Sequence, residues 1–335
     1  MKKILIASMA LLVISCGKEI KSLSDLQSNF YAFQQKPLHM EDALNITFLE
    51  NEDKIDSISI LINGNRIQNN EKITAPTTHL GSNLLELNVY IDGKSIYGKT
   101  TLAVLNPVPE TPVEFEILNQ YPHATSLFTQ GFFYHDQMIY ESSGQYGKSK
   151  LVTYDLGALN FKKEINLDPK LFAEGAEIID GKVYQLTFRE RKILVYDAKT
   201  LDLIDTLEMP AEVKEGWGLT SNGEELIISD GTQNIYFFDK NLTFNRKIQV
   251  TGNVSIYTHI NEMEFIDGKI FANVWLTPYI LVIDPATGAV EKYYDFKEID
   301  ESVGDDDVLN GIALYGKNIL VTGKNWKNIY EVNLP

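Results

Sequence analysis

Short apolar runs, each closed by a turn signal, fill the last two-thirds of the chain as five copies of one pattern. The copies begin at Gln130-Gly131-Phe132, Glu174-Gly175-Ala176, Trp217-Gly218-Leu219, Glu262-Met263-Glu264 and Asn310-Gly311-Ile312. They lie 43 to 48 residues apart, the period of a four-stranded propeller blade. In each copy a first strand reaches a tight turn and an apolar second strand follows: Met138 to Tyr140, Val183 to Leu186, Leu226 to Ile228, Ile270 to Val274 and Ile319 to Val321. Asp180-Gly181, Asn222-Gly223 and Asp267-Gly268 carry the hairpin chemistry, since a positive φ costs Gly, Asn and Asp little. Third strands end at Asp155, Asp197, Asp239 and Asp284, where a short carboxylate can bond its own turn. The fifth copy is short by one strand. Val113-Glu114-Phe115-Glu116-Ile117 alternates like a strand and is expected to complete it, because an open sheet edge invites aggregation. The pattern predicts an all-β fold with a five-bladed β-propeller over residues 113–335.

Ahead of the repeats, residues 30–105 read as shorter alternating strands, for example Leu85-Glu86-Leu87-Asn88-Val89, with turns at Asn63-Gly64 and Asp92-Gly93. No helix of convincing length intervenes. A small immunoglobulin-like β-sandwich is expected there, joined to the propeller by a proline-rich linker, residues 106–112.

The first fifteen residues stand apart from this pattern. Lys2-Lys3 precede a short apolar stretch, Ile4 to Ile14, too short for a comfortable transmembrane span. It ends Val13-Ile14-Ser15-Cys16, which resembles the bacterial lipobox. That resemblance implies cleavage before Cys16, acylation of its thiol, and a lipid-anchored protein of the bacterial envelope, with residues 16–29 as a tether. Cys16 is the one cysteine in the 335-residue chain, so an intrachain disulfide is impossible. The net charge of −16, without a basic stripe, disfavours nucleic-acid binding.

Candidate chemistry starts with elimination. Ser143 to Ser149 looks like a phosphate loop, but a strand follows it and no helix N-terminus is available for the anion. The five histidines lack metal-ligand spacing, and there is no nucleophile elbow. The ends of the second strands say more. They present Glu141, Phe188, Asp230, Trp275 and Lys324 at equivalent positions, which in a propeller converge on one mouth.

An ordered set of segments then carries a family resemblance. Tyr121-Pro122-His123, Phe128-Thr129-Gln130-Gly131-Phe132, Tyr140-Glu141-Ser142-Ser143-Gly144, Glu215-Gly216-Trp217-Gly218-Leu219, Asn261-Glu262-Met263-Glu264, Ala272-Asn273-Val274-Trp275, Leu309-Asn310-Gly311-Ile312-Ala313 and Thr322-Gly323-Lys324-Asn325-Trp326 together resemble the plant-type glutaminyl-peptide cyclotransferases, which also occur in bacteria. The resemblance implies conversion of an N-terminal Gln of a peptide or protein to pyroglutamate with release of ammonia. It implies Glu141 as proton relay, Asn261 and Lys324 as polar catalytic partners, and Phe128, Phe188, Trp217, Trp275 and Trp326 as the substrate wall. Gln130 either bonds the substrate backbone or caps its blade. The chain has His123-Ala124 where the family usually has His-Asp, and Phe188 where it tends to have Trp. The reaction demands neither metal nor cofactor, and a monomer is expected. Two other functions fit the same mouth: a noncatalytic peptide-binding propeller, and a metal-dependent propeller hydrolase such as a lactonase.

Overall fold

The computed structural model describes residues 19–75, 77–301, 304 and 306–333. The leader and Cys16 lie outside the described residues. Within them the chain is all-β, and its only helices are short 3-10 turns. From Thr129 onward the strands form five consecutive antiparallel sheets. Their first strands are Thr129–His135, Ala173–Ile179, Leu219–Ser221, Ile260–Ile266 and Leu309–Tyr315. Each first strand touches the next, and the fifth touches the first, so the contacts run in a closed cycle. Five apolar clusters fill the spaces between neighbouring sheets. Ile227 and Phe237 meet Ile270 and Leu281 between the third and fourth, for instance, and Ile139 and Val152 meet Leu320 and Ile329 between the first and fifth. A sheet buried on both faces needs apolar residues on both faces. That is why the second strands read as continuous apolar runs instead of alternating.

Inner-strand glycines set how closely the sheets approach. A Cβ on Gly131 would collide with the Ala176 amide, one on Gly175 with the Leu219 amide, and one on Gly218 with the Asn261 carbonyl. At the equivalent place the fourth sheet carries Glu262. Its carboxylate accepts the Ile312 N–H of the fifth sheet at 2.9 Å, so a side chain bridges where backbones otherwise touch.

The last sheet is completed from upstream. Ile117–Pro122 pairs antiparallel with Asn328–Asn333. The closing segment is the one expected, but the strand begins where the predicted one ends. Val113 and Phe115 alternate because they plug the core between the fourth and fifth sheets, while Thr111–Pro112 adds a short parallel strand to the fourth. The true closing strand is an outer one with mostly exposed side chains, so it has no apolar signature.

The N-terminal third departs from expectation. It contains one five-stranded sheet, ordered Leu38–His39, Lys94–Leu105, Gly81–Ile91, Ser57–Ile62, Asn65–Ile67, and not the two sheets of a sandwich. Its apolar face is covered by a 3-10 turn carrying Phe30 and Phe33 and by irregular chain carrying Leu44, Ile46 and Phe48, with single bridges at Ser28–Phe48 and Ala43–Lys72. The stretch read as a tether also packs. Ser22 and Asp25 form a capping box on a 3-10 turn, and Leu23 and Leu26 enter the core.

Candidate active site

Four of the five inner strands begin with the same irregularity. Two residues oppose one where the first strand meets the second, between Thr129 and Gly131, Ala173 and Ala176, Ile260 and Met263, and Leu309 and Ile312. Such a bulge re-aims a side chain out of the ladder. The residues re-aimed are Gln130, Glu174, Asn261 and Asn310. In the third sheet Trp217 stands just ahead of the inner strand, its carbonyl accepting the Gly175 N–H at 2.7 Å. These five positions form a ring around one end of the cycle.

An aromatic arc follows the ring. Phe128 meets Phe172 edge-on (6.4 Å between centroids), Phe172 meets Phe188 (5.8 Å), Phe188 meets Trp217 (6.4 Å), and Trp217 meets Trp275 (5.7 Å). His259 lies 5.8 Å from Trp275 at the far end. At the near end the Lys324 Nζ sits 4.8 Å from the Phe128 ring centroid, within cation–π range. Lys324, Phe128, Phe188, Trp217 and Trp275 thus lie along one arc of contacts, and Gln130 and Asn261 stand on bulges of the ring it follows.

Glu174 is the residue that the sequence reading missed. It is 4 % exposed; the Ser142 hydroxyl donates to its backbone carbonyl at 2.5 Å, and among the described residues no donor reaches its carboxylate. Burial raises its carboxyl well above the usual range; the Lys324 charge opposes the shift, while Glu215 and Glu190 reinforce it. Burial pushes the Lys324 ammonium down to about 8, against the opposing pull of Glu174 and Asp306. The mouth thus holds an acid and a base whose proton affinities are drawn together. Glu174 is the first residue of the second copy, but the repeat as read starts the fourth copy one residue late, at Glu262; the bulges put Glu174 in register with Gln130, Asn261 and Asn310.

Glu141 is placed elsewhere. Its side chain is fully buried between the first and fifth sheets. Thr129 donates to Oε1 at 2.7 Å, Tyr154 donates to Oε2 at 2.5 Å, and His123 Nε2 stands 3.1 and 3.2 Å from the two oxygens. The other ring nitrogen of His123 is 2.9 Å from the Trp326 carbonyl. With an acceptor facing each nitrogen, the imidazole is doubly protonated and cationic. Burial pushes the His123 pKa down, but Glu141 and the Trp326 carbonyl outweigh it and hold the pKa above its ordinary value. Glu141 thus sits in a closed ion-pair network, without an open face for a substrate. Trp326 is likewise corrected. It is 1 % exposed, packs edge-on to Tyr330, and donates its indole N–H to the Asp307 carbonyl at 3.0 Å. It is core, not wall.

Two amides complete the mouth. Asn310 Nδ2 donates to Gln130 Oε1 at 3.1 Å, which fixes the Gln130 carboxamide and leaves its NH₂ as the remaining donor. Asn261 Oδ1 is buried without a hydrogen-bond partner among the described residues. A buried acceptor left unpaired is costly unless a ligand supplies the donor.

A ring of five small sheets with a desolvated carboxylate, a lysine and an aromatic arc at one end describes an enzyme-type pocket for a small polar group with an apolar stem. The comparisons agree. The glutamine cyclotransferase family model matches residues 95–334. A glutaminyl-peptide cyclotransferase from Arabidopsis thaliana is 30% identical over 230 residues, 66% of this chain and 71% of the plant protein. The crystal structure of Myxococcus xanthus glutaminyl cyclase superposes with a TM-score of 0.61 at 31% identity, over 66% of this chain and 97% of that one. The chain belongs to the glutamine cyclotransferase family.

Proposed function

We propose that the protein is a glutaminyl-peptide cyclotransferase that closes an N-terminal Gln to pyroglutamate. The observation that carries this reading is the buried Glu174, re-aimed by its bulge onto the polar ring and within the electrostatic reach of Lys324, in a chain of this family. In the reaction the α-amine attacks the side-chain carboxamide carbon. A C–N bond forms, the carbonyl oxygen becomes an oxyanion, and the C–N bond to the side-chain nitrogen then breaks. The free α-amine has a pKa of about 7.7 to 8.0, so at neutral pH much of it carries a proton that must leave.

Glu174 takes that proton and returns it to the departing nitrogen, so that ammonia and not amide ion leaves. Its raised pKa suits a group that must both accept and give a proton near neutrality. The relay role passes to Glu174 because Glu141 has its oxygens engaged by the ion-pair network. Lys324 and the Gln130 NH₂ face the developing oxyanion. The unpaired Asn261 Oδ1 accepts an N–H of the substrate. Trp275, Trp217 and Phe188 hold the methylene stem, and freezing that stem in an attack-ready conformer lowers the barrier of a reaction that is already intramolecular.

The reading has two wider parts. The closed cycle of five sheets is taken as a five-bladed propeller with its mouth at the inner-strand starts. The lipobox-like segment at Cys16 is taken as an acylated anchor to a bacterial envelope membrane, the enzyme acting there as a monomer.

The test is ammonia release from a Gln-initiated dipeptide by the chain expressed without residues 1–16, with and without chelator. Release that resists chelator is expected. A folded protein that binds the peptide without releasing ammonia would make it a peptide-binding module, and release that requires added metal would overturn the mechanism.

A further inference from the structure

The loop of residues 250–259 runs from the outer strand of the third sheet to the mouth. At its outer end it is a small hairpin: Thr251 bridges Ile256, and the Gly252 N–H bonds the Ser255 carbonyl at 2.9 Å. At its inner end stands His259, with φ at +63°, a conformation a non-glycine residue adopts only when its surroundings hold it there. The His259 N–H donates to the Gly231 carbonyl (3.0 Å), and its carbonyl accepts the Trp275 N–H (2.9 Å). Asn261 follows two residues later. The loop therefore sets the last aromatic of the arc and the unpaired amide of the ring.

The outer end is gripped from the linker and the N-terminal sheet. Glu110 Oε1 accepts the Asn253 N–H at 3.0 Å and the Tyr257 hydroxyl at 3.3 Å. Its carboxylate fills the space beside Gly252, where a Cβ would collide with it. The Asn106 N–H donates to the Gly252 carbonyl (3.0 Å) and the Asn106 carbonyl accepts Asn253 Nδ2 (2.9 Å). His39 Nε2 reaches the Asn253 carbonyl at 2.8 Å. Just before the loop, Gln249 exchanges hydrogen bonds with the Ser82 backbone (2.9 and 3.3 Å). Burial, with Glu110 beside it, pushes the Tyr257 hydroxyl up to about 12, so it is a donor throughout the neutral range. The Myxococcus enzyme is matched over 97% of its length by 66% of this chain, so about a third of this chain has no counterpart there.

We propose that Glu110 is a positioning residue for the mouth: beside Gly252, and through Asn253 and Tyr257, it anchors the loop that ends at His259 and leads into Asn261, and so couples the linker to substrate binding. This rests on the cyclotransferase reading of the mouth. Glu110 touches no substrate. Its loss lets the loop shift, which weakens the fit of the glutaminyl side chain before it affects the proton relay.

The experiment uses the full chain in detergent with the peptide Gln-Ala-Ala, comparing Glu110→Ala, Glu110→Gln and Tyr257→Phe. Steady-state ammonia release and intrinsic tryptophan emission are measured well below the melting temperature. Glutamine keeps the Oε1 acceptor and alanine removes it. The expected result is a KM raised about fivefold or more in Glu110→Ala, with a shifted emission from Trp275 and a smaller change in kcat. Glu110→Gln is expected to stay within about twofold of wild type, with Tyr257→Phe in between. Wild-type KM and emission in Glu110→Ala, or equal damage in the Ala and Gln variants, would overturn the proposal. Should Glu110→Ala fail to fold, a raised KM at unchanged melting temperature in Tyr257→Phe supports it, and an unchanged KM overturns it. If the wild-type chain releases no ammonia, the cyclotransferase reading fails, and the emission shift alone judges the grip.

Discussion

Replacing Glu141 by glutamine separates the two carboxylates that the sequence offers for proton transfer. The perturbation is nearly isosteric. It removes the negative charge facing the His123 imidazolium, and it turns one acceptor oxygen, bonded by Thr129 or Tyr154, into an NH₂ group. All of this happens at the seam where the fifth sheet meets the first, with His123 also holding the Trp326 carbonyl. Removing one partner of a buried, hydrogen-bonded ion pair costs about 3 to 5 kcal/mol. The lower end applies, because His123 can shed its proton and accept from the new amide. For a cooperative unit of this size, about 3 kcal/mol lowers the melting temperature by roughly 6 to 12 °C. Thermal unfolding followed by circular dichroism measures this, with ammonia release assayed well below the transition. The expected outcome is a large loss of stability with kcat within about threefold of wild type. A variant that melts with the wild type yet loses activity by about a hundredfold or more would refute the placement of Glu141 in the seam and restore it as the relay.

Other predictions follow from the same geometry. Activity should fall as pH drops through the raised Glu174 pKa, so the acidic limb lies above the ordinary glutamate value of about 4.3. It should fall again as pH rises through about 8, where Lys324 loses its proton, and Lys324→Gln should abolish that alkaline limb in a kcat–pH profile. The His123 clasp has the sign of a raised imidazole: its stability is fully present below the unfolded pKa of about 6.5 and is lost as pH rises through the higher folded value, so wild type and Glu141→Gln should converge in melting temperature at alkaline pH. Gly218→Ala places a Cβ against the Asn261 carbonyl, so it should cost about 1 to 3 kcal/mol in chemical denaturation and reduce turnover together. Cys16→Ser in the full-length protein should release it from the membrane fraction; continued membrane retention would argue against the acyl anchor.

The repeat was legible because each sheet is buried on both faces and each hairpin needs a Gly, Asn or Asp with positive φ, as at Asp180-Gly181 and Asp267-Gly268. Spacing therefore marked every sheet, and turn chemistry marked the second, third and fourth. The closing strand was displaced in the reading because Ile117–Pro122 is an outer strand without a buried face, whereas the half-buried Val113 and Phe115 beside it imitate a strand pattern. In the N-terminal third, alternation gave the strands. It could not tell that irregular chain, including Leu23 and Leu26, supplies the second layer. For the site, the second-strand ends identified Phe188, Trp275 and Lys324. The residue in register with Phe188, Trp275 and Lys324 is Gly144, three positions after Glu141, so the Glu141 side chain lies on the opposite face and turns into the seam with its period-two neighbour Ile139. Glu174 was hidden by its setting: a Glu before a Gly at a strand start looks like any loop residue until the bulges put it in register with Gln130, Asn261 and Asn310.

The most direct test of the central claim is the Glu174→Gln variant, assayed for ammonia release from a Gln-initiated peptide, with the peptide followed by mass spectrometry for the loss of one ammonia. The account predicts turnover reduced by about two to four orders of magnitude, with the melting temperature unchanged or raised because a buried unpaired carboxyl has been replaced by a neutral amide. A folded Glu174→Gln that forms pyroglutamate at the wild-type rate would contradict it.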